Sequence, residues 1–255
     1  MIKIGDYVTR KSYNHDIVFK VIDIQMGNCI LYGVCIRLSA DSPVSDLKLY
    51  DGEVDDDDFA VEFDDYKTLD RNEFFYLPGK VLHIDGDKDF LKRSMDFYKK
   101  NKIKAYGLYS MESDLADNIY GYLEKYNPDI LVITGHDALF RKRRSSGSYK
   151  NTENFVDAVR EARRYEKSHE KLIIIAGACQ SNYEELIKAG ANFASSPKRI
   201  NIHALDPAII ASSMSFSDKN TNIDLINILG KTKYGPEGMG GIITKGTMYV
   251  GYPRE

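Results

Sequence analysis

The sequence predicts an α/β chain: a parallel sheet with crossover helices over about residues 80–255, preceded by a small β-rich, barrel-like domain over residues 1–60. Three observations lead there. From Lys80 onward, short aliphatic runs alternate with helix-length amphipathic segments. Before Tyr50, short apolar runs are instead broken by turn pairs such as Gly5-Asp6 and Gly27-Asn28, at the close intervals of a small antiparallel sheet or barrel. Between the two lies an acidic run, residues 51–65, with consecutive aspartates from Asp55 to Asp58; it repels itself and reads as a solvated linker reaching about residue 79.

Each element has its own signal. Residues 17–24 and 29–36 read as strands of the N-terminal domain. Residues 81–84 read as the first strand of the parallel sheet, ending in Asp85-Gly86-Asp87, with a helix over 90–100 after it. A second strand covers 103–109 and a helix about 112–126. Pro128-Asp129 turns the chain into a third strand, 130–133, which runs into Thr134-Gly135-His136-Asp137. After a basic loop at 141–150, Asn151 or Thr152 offers a side-chain oxygen to free backbone amides and caps a helix ending near residue 169. Glu153 and Asp157 add favourable charge near its start. The fourth strand, 171–178, leads directly into Cys179-Gln180-Ser181-Asn182 and a helix over 183–189 that Gly190 ends. Residues 192–195 form a short fifth strand. Helices follow at about 207–213 and 223–229, then a glycine-rich β region over 235–251.

Composition narrows the function. The chain has 255 residues, 43% of them hydrophobic, enough to bury its own core. A formal net charge of -3 gives no general basic field, so a nucleic-acid partner is not expected. No apolar stretch approaches the roughly 20 residues that span a bilayer, and the N-terminus lacks the apolar centre of a signal peptide; a cytoplasmic protein without a membrane partner is expected. Cys29, Cys35 and Cys179 are odd in number and lack C-x-x-C spacing, against a disulfide framework or a zinc knuckle. No His, Cys and carboxylate set has metal spacing, and the glycines at 235, 238, 240 and 241 lack the strand-then-helix setting of a dinucleotide fingerprint, so no metal or other cofactor is expected.

Open parallel sheets place reactive groups beyond the carboxyl ends of their strands. Two such side chains fall there on successive strands, His136 and Cys179, and a right-handed crossover sets those strands side by side. A thiol at the start of a helix feels the positive end of the helix dipole, which lowers its pKa. Histidine can then hold the proton and deliver it to a leaving amine. The bland alternative is a buried structural cysteine and a hydrogen-bonded loop histidine.

The blocks Ile130-Leu131-Val132-Ile133-Thr134-Gly135-His136-Asp137 and Ile173-Ile174-Ile175-Ala176-Gly177-Ala178-Cys179-Gln180-Ser181 resemble the YabG-type sporulation peptidases of spore-forming bacteria. The likeness extends to Cys35-Ile36-Arg37-Leu38, Ser42-Pro43 and the stretch from Ser196-Pro197 to Asp206-Pro207. More distantly, the His and Cys blocks are similar to the caspase and clostripain group, which implies a caspase-like, flavodoxin-like three-layer fold. The resemblance implies a cysteine endopeptidase with a Cys179–His136 dyad that processes spore coat and cortex-associated proteins in the mother cell, cuts after arginine and cuts itself. In the caspase group a glycine follows the histidine and supplies an oxyanion amide; here Gly135 precedes His136 and Asp137 follows it. Gly135 and Asp137 are therefore the oxyanion or orienting candidates, with the Cys179 amide as one plausible donor.

An arginine-reading pocket needs a carboxylate. Asp85, then Asp87, stand at the active edge of the first strand; the alternative is a turn aspartate capping the next helix. Asp137 orients His136 or contacts a nearby backbone amide. Arg141, Arg143 and Arg144 offer self-cleavage bonds in the basic loop, which otherwise is a solvated loop. His83 reads as a core histidine, His203 as a loop residue bordering the cleft, His15 and His169 as surface residues, and Cys29 and Cys35 as packing residues. The rival functions are a non-catalytic doubly wound binding module and a structural spore-coat protein; oligomeric state is not legible.

Overall fold

The computed structural model describes residues 2–54, 63, 72–137, 139–140, 148–149 and 151–253. The chain opens with β1 (Tyr7–Arg10), β2 (Val18–Gln25), β3 (Asn28–Gly33), β4 (Ser39–Pro43) and β5 (Leu47–Leu49). These form one antiparallel sheet in the order β4-β3-β2-β1-β5. β4 and β5 are its end members, with β5 returning to pair with β1. Met26 and Gly27, with φ of 48° and 83°, make the tight β2–β3 turn, whose two left-handed positions suit the twist of the flanking strands. Val8, Phe19, Val21, Cys29 and Leu31 form the sheet's buried face.

After β6 (Phe75–Leu77) the parallel unit begins: β7 (Val81–Asp85), α1 (Lys88–Lys100), β8 (Ala105–Tyr109), α2 (Leu115–Tyr126) and β9 (Ile130–Thr134). A two-stranded pair, β10 (Leu139–Phe140) and β11 (Ser148–Tyr149), precedes α3 (Thr152–Tyr165). Then come β12 (Ile173–Ala176), α4 (Tyr183–Ala189), β13 (Phe193–Ser195), α5 (Asp206–Phe216), α6 (Leu225–Gly230), α7 (Gly235–Gly238), β14 (Met239–Gly241) and β15 (Tyr249–Gly251). The last pairs with β6. The expected β region at 235–251 is therefore a short helix and two three-residue strands.

The large sheet has the order β14-β13-β12-β9-β7-β8. Its parallel members run, in their own sequence order, 2-1-3-4-5, the doubly wound arrangement whose switch point falls between β7 and β9; β14 closes the edge antiparallel to β13. Every residue of β7, β9 and β12 is buried, which is why they read as aliphatic runs without polar alternation. Leu82, Ile84, Leu131, Ile133 and Ile174 pack with Leu115, Ile119, Leu123 and Phe155 of α2 and α3. Val81, Val132, Ile173 and Ile175 point to the other face, toward Phe97 of α1 and Ile209, Ile210 and Met214 of α5. That second core is continuous with Val8, Phe19, Val21 and Leu31 of the N-terminal sheet. Phe63, inside the acidic run, is buried with its ring 6.5 Å from Phe97 and 5.5 Å from Phe216, so the linker is pinned there. Asp55 to Asp58 lie outside the described residues.

Candidate active site

The ladder between β9 and β12 sets the site. Ile130 lies opposite Ile173 and Ile133 opposite Ala176. His136 and Cys179 each stand three residues beyond this last pair, one after β9 and the other after β12. The side-by-side placement of the two strands expected from the sequence is present. Gly177, at φ 107°, turns the chain out of β12 in a left-handed conformation, and a β-carbon there would strike Ser195 and Leu186.

Cys179 occupies the connecting turn, four residues ahead of α4, whose N-cap is Asn182. The expected help from a helix N-terminus is absent: the thiol is fully buried and burial pushes its pKa up, not down. Its sulfur accepts from Ile202 N at 3.2 Å and lies 3.6 Å from Ile202 O.

The His136 imidazole is buried between the rings of Tyr32 and Phe90, at centroid distances of 4.0 and 5.5 Å. Nε2 lies 2.9 Å from Asp87 Oδ2, while Nδ1 has no hydrogen-bond partner among the described residues. An imidazole that donates Nε2–H to a carboxylate carries its open lone pair on Nδ1. No hydrogen bond joins His136 to Cys179 in this state. The other Asp87 oxygen caps α1, accepting from Asp89 N at 2.8 Å and Phe90 N at 2.9 Å. Burial works against the ionised carboxyl, but the bonds to His136 and to the helix amides hold Asp87 below the usual carboxylate range.

Of the two roles expected for Asp137, the contact with a nearby backbone amide is the one seen, to Asn151 N. Its carboxylate accepts from Asn151 N at 2.8 Å, from Ser181 Oγ at 2.8 Å and from Thr152 Oγ1. It thus bolts the end of β9 to the start of α3 and to the turn after Cys179, while Asp87 takes the imidazole. Asn151 Nδ2 adds a bond to His136 O at 2.7 Å. Gly135 has no side chain because Glu112 lies over it and over Gly86, where β-carbons would collide with the Glu112 carboxylate. Glu112 Oε1 accepts from His136 N at 2.9 Å, so that amide is occupied.

Asp85 is fully buried and already holds a guanidinium. Arg37 Nη1 lies 3.0 Å from Oδ1 and 2.8 Å from Oδ2; Thr134 Oγ1 donates to Oδ2 at 2.9 Å and Asp87 N to Oδ1 at 3.0 Å. Although burial opposes it, Arg37 keeps this carboxyl far below the usual range. His83 is the core histidine expected, bonded to Thr134 Oγ1 at 2.9 Å and Tyr98 Oη at 3.0 Å, and burial pushes its pKa down. Asp87, the second candidate, bonds His136 and caps α1 as described. His203 is buried, its amide donating to Asp206 Oδ2 at 2.9 Å, and is not on an open cleft rim. His169 is half-buried, 3.3 Å from Arg163 Nη2, where a surface residue was expected. Arg141, Arg143 and Arg144 lie outside the described residues.

Tyr32, Arg37 and Glu112 carried no functional signal in the sequence, because each acts through partners more than twenty residues away. A cleft lined by Tyr7, Lys20, Tyr32, Asp87, Phe90 and Arg93 opens between the N-terminal sheet and α1, reaching the side chains that hold His136.

Fold and site together describe a doubly wound α/β protein with a histidine and a cysteine beyond the carboxyl ends of two neighbouring strands. The chain matches the family model described as YabG peptidase U57 over residues 3–61 and 56–253. It is 40% identical over 287 residues to the sporulation-specific protease YabG of Bacillus subtilis (strain 168), an alignment covering 98% of each chain. The chain belongs to the YabG peptidase family. No solved structure matches it.

Proposed function

We propose that this peptidase is a cysteine endopeptidase with Cys179 as nucleophile, His136 as general base and acid, and Asp87 orienting the imidazole. The observation that carries the reading is that Cys179 and His136 follow the paired strands β12 and β9 at the same carboxyl edge, with His136 Nε2 taken by Asp87 and Nδ1 without a partner among the described residues. His136 Nδ1 takes the thiol proton as sulfur attacks the peptide carbonyl, then hands it to the leaving amine; water releases the acyl group and regenerates the thiol. Backbone amides at the edge, from among Gly135, Asp137 and Cys179, receive the oxyanion. Catalytic hydrogen bonds tighten in the substrate complex, so the open Nδ1 is compatible with a base awaiting its partner.

Arginine is the favoured residue on the acyl side, read by Asp85, which is built to bind a guanidinium. The strand order and the placement of His136 and Cys179 support the caspase and clostripain comparison. The name of the Bacillus relative supports a role in sporulation, with spore coat and cortex-associated proteins as substrates in the mother cell, and self-cleavage at arginine. Wild type, Cys179→Ala and His136→Ala are compared on arginine-containing coat-protein substrates. Cleavage by wild type alone is expected. Equal cleavage by all three ends the reading, and no cleavage by any, with all folded, favours a non-catalytic module.

A further inference from the structure

The residue that covers Cys179 is an arginine of the chain itself. After β3, residues 35–38 cross the carboxyl edge of the large sheet. On one side Ile36 forms an antiparallel bridge with His203, and Ala204 N donates to Cys35 O at 2.9 Å. On the other, Leu38 forms a parallel bridge with Asp137, the neighbour of His136. Between these anchors Leu38 N folds back on Ile36 O at 2.8 Å, bending the chain at Arg37, whose backbone amide acts on the Cys179 thiol against the effect of burial. Arg37 and Cys179 both retain no exposed surface.

The Arg37 side chain is bound the way a peptidase pocket binds a substrate arginine. Its Nη1 meets both Asp85 oxygens, Nε and Nη2 reach Ala204 O at 3.2 and 3.1 Å, and its guanidinium carbon lies 4.9 Å from the centre of the Phe90 ring. A buried ion pair seldom adds net stability over apolar groups of the same volume, so stability alone is a weak reason for this one. Its position is specific: the pair fills the carboxylate pocket beside the thiol and lays backbone over the sulfur.

We propose that Arg37 is a resident ligand of the arginine-reading pocket and that residues 35–38 keep the site closed, so that a substrate arginine enters only once this segment has withdrawn. Asp85 and the Ala204 carbonyl then receive the incoming guanidinium. The proposal rests on the reading of Cys179 as nucleophile and of arginine as the preferred residue.

Full-length wild type, Arg37→Ala and Arg37→Lys are treated with iodoacetamide, and alkylation of Cys179 is followed by mass spectrometry. In parallel, thermal midpoints are recorded with agmatine as guanidinium probe and butylamine as ammonium control. Cys179 of Arg37→Ala reacts about tenfold or more faster than in wild type, the direction expected when a cover worth at least that factor in an equilibrium is removed. Agmatine raises the midpoint of Arg37→Ala but not of wild type, since a ligand stabilises only a state with a vacant site, and butylamine raises neither. If Arg37→Ala does not fold, Arg37→Lys, which keeps the charge against Asp85 but not the planar fork, carries the same two readouts. Equal protection of Cys179 in wild type and a folded variant, or no response of that variant to agmatine, overturns the proposal. Neither readout needs turnover: an unmasked thiol and a bound agmatine without cleavage defeat the peptidase chemistry alone and leave the resident ligand standing.

Discussion

At the scale of single residues, Asp87 divides its two oxygens between two tasks. Oδ1 ends the unpaired amides of α1 and Oδ2 holds the imidazole. The tasks are separable by substitution. Asparagine caps helices about as well as aspartate, but an amide offers His136 no charge and no dependable acceptor. Asp87→Asn is expected to lower kcat on an arginyl substrate by roughly 10²–10⁴-fold, the span of general acid–base contributions, with little change in thermal midpoint. A variant that loses stability and activity in proportion would show that only the cap matters. In the sequence the placement of His136 and Cys179 after two strands was legible, because a strand followed at once by a reactive residue can be read locally. The partner of the imidazole was not: Asp87 was visible as an edge aspartate, but its contact depends on β7 lying beside β9, which no local pattern states.

Among the elements, most strands and helices fall where hydrophobic period placed them, and the misses have physical causes. α1 starts at Lys88, two residues earlier than expected, because its cap is Asp87. α5 runs to Phe216, beyond the expected end, because it is buried on all sides and has no polar face to mark its length. At α3 the expected local cap is replaced by a distant one: Asp137, arriving from the end of β9, takes Asn151 N and Thr152 Oγ1. Removing that carboxylate strands several buried donors at once. Asp137→Ala is therefore expected to cost about 3 kcal/mol or more in urea unfolding, above what a single neutral hydrogen bond gives. A loss within about 0.5 kcal/mol, the size of an ordinary surface change, would contradict the bolt described for it.

For the molecule as a whole, stability follows pH through carboxylates displaced in opposite directions. Asp85 and Asp87 are held below the ordinary aspartate range. Their contribution is complete above about pH 4, where an unfolded aspartate is ionised, and is lost as pH falls below that value. Asp206, which accepts from His203 N and Lys233 N, is raised by burial to about 6. Its ionisation in the fold is unfavourable, so its penalty is absent below about pH 4, grows up to about pH 6 and is constant above. The denaturation midpoint of Asp206→Asn relative to wild type should accordingly rise between about pH 4 and 6 and level off above, with the acid limb common to both. Parallel curves for the two proteins across that interval would rule out this assignment.

The continuity of the core under both sheets also governs what scission of the chain would look like. Val8, Phe19, Val21 and Leu31 belong to the same apolar mass as Val132, Ile175 and Ile209, and Arg37 is held by Asp85 across the junction. A nick between residues 54 and 72 severs one covalent thread while leaving that mass intact. The fragments would part on a denaturing gel yet travel together through a sizing column, so electrophoresis would report two pieces where the solution holds a single particle.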